Sequence, residues 1–292
     1  MVAVSEIGRS PLRAYKSDAR AAAPQAQTPM KDGRTAPMRL TSEEYWESSW
    51  RRRRTPTPPR ASWYPDRRFI ELFGSLGDRN RSKVLEVGAG GTRWLPHLGL
   101  TWGAEVWGLD YSPRGCALAR DALAGAGVRG TILQRDLFDR NDDLIERFDL
   151  VYSLGLVEHF DDASVAVGAI SRFVRPGGLI LTAIPNMCGL MGALQRLVDR
   201  DIYAQHTRLA PLDLRKAHEV HGLSVLRSGW FGTCDPAVVN EGRSSFITER
   251  ALSAWRFATR TVIWTAVRFL RTAPETRILS PYVVCLAQRS RS

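Results

Sequence analysis

The chain has 292 residues, 44% hydrophobic and 24% charged, the balance of a globular protein rather than a fibrous or disordered one. Its length fits one domain with appendages, and no run of 18 apolar residues that would span a bilayer occurs. The net charge of +11 sits at the ends, +7 over residues 1–68 and +6 over 248–292, around a centre at −2, which argues against a basic nucleic-acid groove across the active face.

In chain order, residues 1–40 are rich in Ala, Pro, Arg and Gln without an apolar period, and are expected to be a disordered basic tail. They hold no apolar core of a signal peptide. The four cysteines, Cys116, Cys188, Cys234 and Cys285, form no C-x-x-C pair or zinc ribbon, so a reduced, cytoplasmic setting is expected. Residues 41–64 read as an N-terminal cap segment and linker. Within them TSEEYWESSW predicts a short helix capped by Thr41 or Ser42, whose Tyr45, Trp46 and Trp50 pack either on the core surface or over a ligand. Arg51 to Arg54 and a Pro-rich link follow, and such a charge run is usually solvated.

Residues 65–292 read as the main domain, opening on a helix at 65–77. Val84, Leu85 and Val87 mark a first strand, apolar on both faces as in a buried parallel sheet. A second strand ends at Asp110, and a helix over 112–126 has Pro113 near its start. A third strand, Gly130 to Arg135, leads to Asp136, and FDLVYS (148–153) is a fourth. A helix over 161–174 is capped by Asp161 or Asp162, and VRPGGLIL (174–181) turns into a fifth strand. Residues 187–222 form a helical insertion of two helices, 223–231 a sixth strand, 246–272 a second insertion, and 282–287 the last strand.

The chemistry concentrates between residues 83 and 110. Gly88, Gly90 and Gly91 let the backbone turn sharply and come close to a ligand. Asp110 lies 22 residues beyond Gly88, where a carboxylate at a strand end can accept hydrogen bonds from ribose hydroxyls. The G-x-G-x-x-G fingerprint of dinucleotide sites is broken, because its third glycine position is Arg93.

With EVGAGG, GLDYS, RDLF and VRPGG in this order and spacing, the chain resembles the class I S-adenosylmethionine-dependent methyltransferases, in the branch acting on small molecules. The resemblance covers roughly residues 69–231 and the last strand. It implies an α/β, Rossmann-like sheet of seven strands, mostly parallel with an antiparallel last strand, helices on both faces, and S-adenosylmethionine as cofactor. It places Glu86, Gly88 and Gly90 beside the methionine part of the cofactor. Asp110 would take the ribose, Tyr111 would flank the adenine, and Asp136 with the Leu137 backbone would meet the adenine edge. Ser153 and Leu154 would line the methyl-donor end. GTRWLPHLG followed by GLDYSPRGC is similar to methyltransferases of polysaccharide and secondary-metabolite pathways. The expected reaction is methylation of a hydroxyl on a small molecule or glycan.

A hydroxyl acceptor loses a proton, which invites a general base. His159, in GLVEHF after the fourth strand, is the first candidate, and His206 with Tyr203 in the first insertion are secondary. His218 and His221, near a helix end, read as structural, and Asn240 and Glu241 after the sixth strand are candidates for facing the acceptor. One branch of the family binds a divalent metal through E-x-x-E-H at this position. Here the stretch is Gly155 to His159, the first glutamate is missing, and no required metal is expected. The polar-Pro-Pro-aromatic motif of base-amino methyltransferases is replaced by Ser153-Leu154-Gly155-Leu156, which counts against adenine or cytosine as acceptor.

Residues 248–272 plot as an amphipathic helix. Leu252, Trp255, Val262, Ile263, Ala266, Phe269 and Leu270 share one face, and five arginines the other. Phe257 and Trp264 fall among the arginines, a pattern suited to peripheral contact with the inner face of a membrane. Two rival readings follow from the ends of the chain. One is a nucleic-acid methyltransferase with basic arms; the other is a non-catalytic adaptor that keeps the cofactor fold at a membrane surface.

Overall fold

The computed structural model describes residues 38–51, 53–233, 235, 238–239 and 274–291, with Ala254, Ala258 and Thr265 as isolated positions. The helix expected at 248–272 and the candidates Asn240 and Glu241 therefore lie outside the described residues. No described helix is long and apolar enough to cross a membrane.

Seven strands form one sheet: β1 (Lys83–Val87), β2 (Glu105–Asp110), β3 (Gly130–Gln134), β4 (Phe148–Leu154), β5 (Val174–Pro185), β6 (Ser224–Phe231) and β7 (Tyr282–Gln288). Their order is β3-β2-β1-β4-β5-β7-β6. The pairs from β3 through β5 are parallel, whereas β7 runs antiparallel to both β5 and β6. Side chains alternate across this sheet, so each parallel strand feeds two cores. Leu85, Val87 and Val151 pack on one face with Ile170, Phe173 and Leu214. Val84, Leu150 and Tyr152 pack on the other with Phe73, Leu95 and Leu98.

The helices are α1 (Glu43–Arg51), α2 (Tyr64–Gly74), α3 (Trp94–Trp102), α4 (Pro113–Gly125), α5 (Ala163–Ser171), α6 (Leu190–Val198), α7 (Arg200–Ala204) and α8 (Pro211–Glu219). Their starts follow capping chemistry. Ser42 Oγ accepts the Tyr45 N–H at 3.1 Å, Ser112 Oγ the Gly115 N–H at 2.9 Å, and Asp162 the Ser164 N–H at 2.8 Å.

Two expectations change. The segment 187–222 holds three helices, not two, and α8 is part of the sheet's outer layer: its Leu214 and Ala217 enter the core beside α5. Residues 38–40, which composition assigned to the disordered tail, are paired. Met38 to Leu40 pair with the loop after β4, where the Leu40 N–H donates to the His159 carbonyl at 2.9 Å and the Asp161 N–H to Met38 at 3.1 Å. Backbone pairing and the charge of Arg39, described below, hold this short segment where composition predicted none.

Strand order reverses between β1 and β4, and the carboxyl ends of these two strands open a crevice there, the usual ligand position of an open parallel sheet.

Candidate active site

That crevice is a cavity of about 460 Å³. Its walls include Glu86, Gly88, Gly90, Asp110, Tyr111, Leu137 and Leu154 from the strand ends, and Trp46, Trp50 and Arg39 from the N-terminal segment. Glu158 and His159 from the loop after β4, and His206 from the helical insertion, line it as well.

At the β1 end, Gly88 has φ +77 and donates its N–H to the Leu109 carbonyl at 2.8 Å. Gly90 donates to Asp110 Oδ2 at 2.7 Å. A side chain there would meet that oxygen at 2.9 Å and the Trp50 ring at 2.8 Å, so only glycine fits between them. Asp110 Oδ1 accepts the Ser112 N–H at 2.8 Å. Burial pushes the Asp110 carboxyl up to about 6, against the lowering effect of these two backbone donors. Each carboxylate oxygen retains a lone pair for a further donor.

Glu86 is buried beneath the glycine turn. Its Oε2 accepts from the Tyr152 hydroxyl at 2.8 Å and from the Thr92 hydroxyl. Burial raises its carboxyl to about 7, with the two hydroxyls pulling the other way. Glu86 thus both orients the turn and presents a titrating group to the cavity.

Asp136 is engaged. Oδ1 accepts the Phe138 N–H at 2.8 Å, and Oδ2 takes an ion pair from Arg39. The Arg39 guanidinium also lies 5.0 Å over the Tyr111 ring. The two residues assigned to the adenine are therefore bridged by one cation from the N-terminal segment, 97 residues from Asp136. Trp50, 8% exposed, lies against Gly90 and Gly91, so α1 rests on the glycine turn itself. Arg93, at the broken third glycine position, makes two hydrogen bonds of 2.8 Å to Asp66 and so ties α2 to the start of α3.

Ser153 departs from its expected place. Strand alternation turns Leu154 into the cavity and Ser153 away from it, where its hydroxyl is buried without a hydrogen-bond partner. Tyr203 lies on α7 and does not line the cavity. His218 is buried between α8 and β5, with Nε2 3.1 Å from Thr182 Oγ1 and Nδ1 2.7 Å from the Leu214 carbonyl. His221 Nε2 lies 2.6 Å from the Ser164 carbonyl. These contacts give both residues structural partners.

After β4, a single helical turn, Val157–His159, sets Glu158 and His159 side by side. The His159 and His206 ring centroids are 4.6 Å apart. His159 Nδ1 lies 2.9 Å from the Gln205 carbonyl and His206 Nδ1 2.7 Å from the Ile202 carbonyl. A carbonyl only accepts, so each Nδ1 carries the proton and each Nε2 keeps its lone pair. Burial and the neighbouring His206 lower His159 to about 3, burial lowers His206, and burial raises Glu158 to about 8. Trp46 meets the His159 ring edge-on at 5.2 Å.

Residues 85–182 match the model of a methyltransferase domain. That stretch, about a third of the chain, has the sequence of a methyltransferase domain, and S-adenosylmethionine is the cofactor of the class I methyltransferases that it resembles. Among curated proteins it is similar to the ubiquinone biosynthesis O-methyltransferase of Pseudomonas syringae pv. tomato, 30% identical over 147 residues, covering 50% of this chain and 59% of that one. It is also similar to the enzyme of that name from Pseudomonas putida, 26% identical over 194 residues, covering 63% and 79%. The chain thus spans about three fifths of the first relative's length. Among solved structures, the YcgJ protein of Bacillus subtilis superposes with a TM-score of 0.51 at 15% identity, covering 77% of this chain and 99% of that one. The [4+2]-cyclase SpnF does so with 0.53 at 15%, covering 80% and 84%. These two likenesses speak to fold alone.

Proposed function

We propose that the protein transfers a methyl group from S-adenosylmethionine to a hydroxyl of a small molecule. The observation that carries this reading is the single cavity that joins Glu86, the glycine turn and Asp110 at one end to two imidazole Nε2 lone pairs at the other. The O-methyltransferase relatives support an oxygen acceptor.

The cofactor supplies a methyl group already activated on a sulfonium, so the protein's work is positioning and proton management. Asp110 would accept the ribose hydroxyls while its backbone donors hold the carboxylate in place. Glu86, once ionised, would favour the cation of the methionine part. Tyr111 and Leu137 would flank the adenine, which requires Arg39 to share or release Asp136. His159 and His206 would accept a hydrogen bond from the acceptor hydroxyl. Trp46, Trp50, Trp63 and Phe69 supply flat apolar walls that exclude water around a ring-shaped acceptor, aromatic or sugar.

The test is transfer of labelled methyl groups from S-adenosylmethionine to a panel of phenols, catechols, sugars and nucleic acids. Label on a hydroxyl of the small acceptors is the expected result. Transfer only to nucleic acid, or turnover only with amines, contradicts the reading.

A further inference from the structure

We propose that Arg39 holds the adenine position of the cavity as a built-in competitor, and that cofactor entry, by displacing it, loosens the turn that carries His159. The inference rests on the function proposed above, because Asp136 and Tyr111 take their adenine roles from it.

Three features make the Arg39 guanidinium a stand-in for a purine edge. It is flat, it lies 5.0 Å over the Tyr111 ring, and its N–H donates to Asp136 Oδ2 in an ion pair. An adenine amino group would use the same ring face and the same acid. Asp136 Oδ1 already accepts the Phe138 N–H at 2.8 Å, so Oδ2 is the less committed oxygen, and Arg39 holds it. The acid cannot simply move aside. Asn141 Nδ2 donates to the Asp136 and Asp139 carbonyls at 2.8 and 3.2 Å, which fixes the turn after β3. What gives way is the arginine, whose side chain is long and whose ion pair is partly exposed.

Arg39 also belongs to the turn after β4. Its backbone pairs with Phe160 in a short antiparallel bridge. On either side of it, the Leu40 N–H donates to the His159 carbonyl at 2.9 Å and the Asp161 N–H to the Met38 carbonyl at 3.1 Å. Its guanidinium lies 5.7 Å from the Phe138 ring centroid and 5.8 Å from that of Phe160, and those two rings meet edge-on at 5.4 Å. One residue therefore ties the turn after β3 to the turn after β4. Taking its guanidinium away from Asp136 removes the charge and ring contacts that keep the strap, Met38 to Leu40, against His159. The link runs through the His159 backbone, so the two imidazoles keep their own carbonyl partners. Occupation of the adenine position is thus felt at the turn that would meet the acceptor.

The test is amide hydrogen exchange of the full chain with and without S-adenosylhomocysteine, read at Leu40 and Asp161, for wild type, Arg39→Ala and Arg39→Lys. A bound ligand ordinarily slows exchange by stabilising the folded state. Here exchange at both amides is expected to rise at least about threefold on binding, because their carbonyl partners are lost. Arg39→Ala should show the faster exchange without ligand and little further change with it. It should also bind S-adenosylhomocysteine up to about fivefold more tightly. Arg39→Lys, which keeps the charge but not the flat group, should lie between the two. Slower exchange at Leu40 and Asp161 on binding, or exchange that does not change, overturns the proposal, as does weaker binding by Arg39→Ala. No binding by folded wild type and Arg39→Ala alike removes the methyltransferase reading and this inference with it, so the two failures are told apart.

Discussion

The two ends of the cavity are built differently. The end proposed for the cofactor is built locally: the turn at Gly88 and Gly90, the Asp110 carboxylate, and the Gly90 and Ser112 N–H groups that hold it all lie within residues 86–112. The end proposed for the acceptor is made from side chains brought together by tertiary structure, with Trp46 from α1, Glu158 and His159 after β4, and His206 after α7. Geometry set within one stretch of chain sits at one end, and side chains on loops and insertions sit at the other. The chemistry common to the class and the choice of acceptor are therefore separable, and substitutions should divide along that line.

The largest expected effect is at the acceptor end. His206→Ala should lower turnover by about 100-fold or more, with cofactor affinity unchanged within about twofold, as read from kcat and from S-adenosylhomocysteine titration. A matched loss of cofactor affinity would break the comparison. At the cofactor end, Gly90→Ala forces a methyl group against Trp50 and Asp110. It should cost about 1–3 kcal/mol of stability in denaturant unfolding and weaken cofactor binding. Unchanged values for both would show that α1 does not rest on the turn in solution.

Glu86 gives a pH signature. Its carboxyl sits at about 7 in the folded chain against 4.5 when free. A raised acid pKa means that the folded state holds the extra proton, so stability is fully present below pH 4.5 and is lost as pH rises through 7. Between pH 6 and 8 this amounts to about 1 kcal/mol, and Glu86→Gln should flatten it. Cofactor affinity should move the other way over the same range, since the ionised carboxylate attracts the cationic methionine part. Both slopes are readable by chemical unfolding and calorimetry across pH.

The smallest effect belongs to the strap. Arg39 and Asp136 are 22% and 31% exposed, so their ion pair is worth at most about 1 kcal/mol. Arg39→Ala should raise cofactor affinity by up to about fivefold by freeing Asp136, and raising salt should shrink the difference between variant and wild type. Weaker binding in the variant would instead make Arg39 a clamp on the adenine.

The sequence disclosed the strands of the sheet and a candidate cofactor end because the signals are local. An apolar run, a glycine turn and a strand-end acid lie within one β–turn–β stretch. Alternation along β4 was also legible, and it permits only one of Ser153 and Leu154 to face the cavity. What could not be read is long-range. Tyr152 reaches Glu86 across 66 residues, Arg39 reaches Asp136 across 97, and the nearness of His206 to His159 depends on how the insertion folds back. A basic tail gives no periodicity from which an ordered Arg39 could be inferred, and the pairing of Met38 to Leu40 with a loop is set by partners on the other side of the fold.

The most direct test of the separable-ends account is calorimetric titration of S-adenosylhomocysteine into wild-type, Asp110→Ala and His206→Ala protein. The account predicts binding to wild type, loss of at least about 100-fold in Asp110→Ala, where two charge-assisted hydrogen bonds go, and near-wild-type binding in His206→Ala. No binding by folded wild-type protein, or equal losses in both variants, would contradict it.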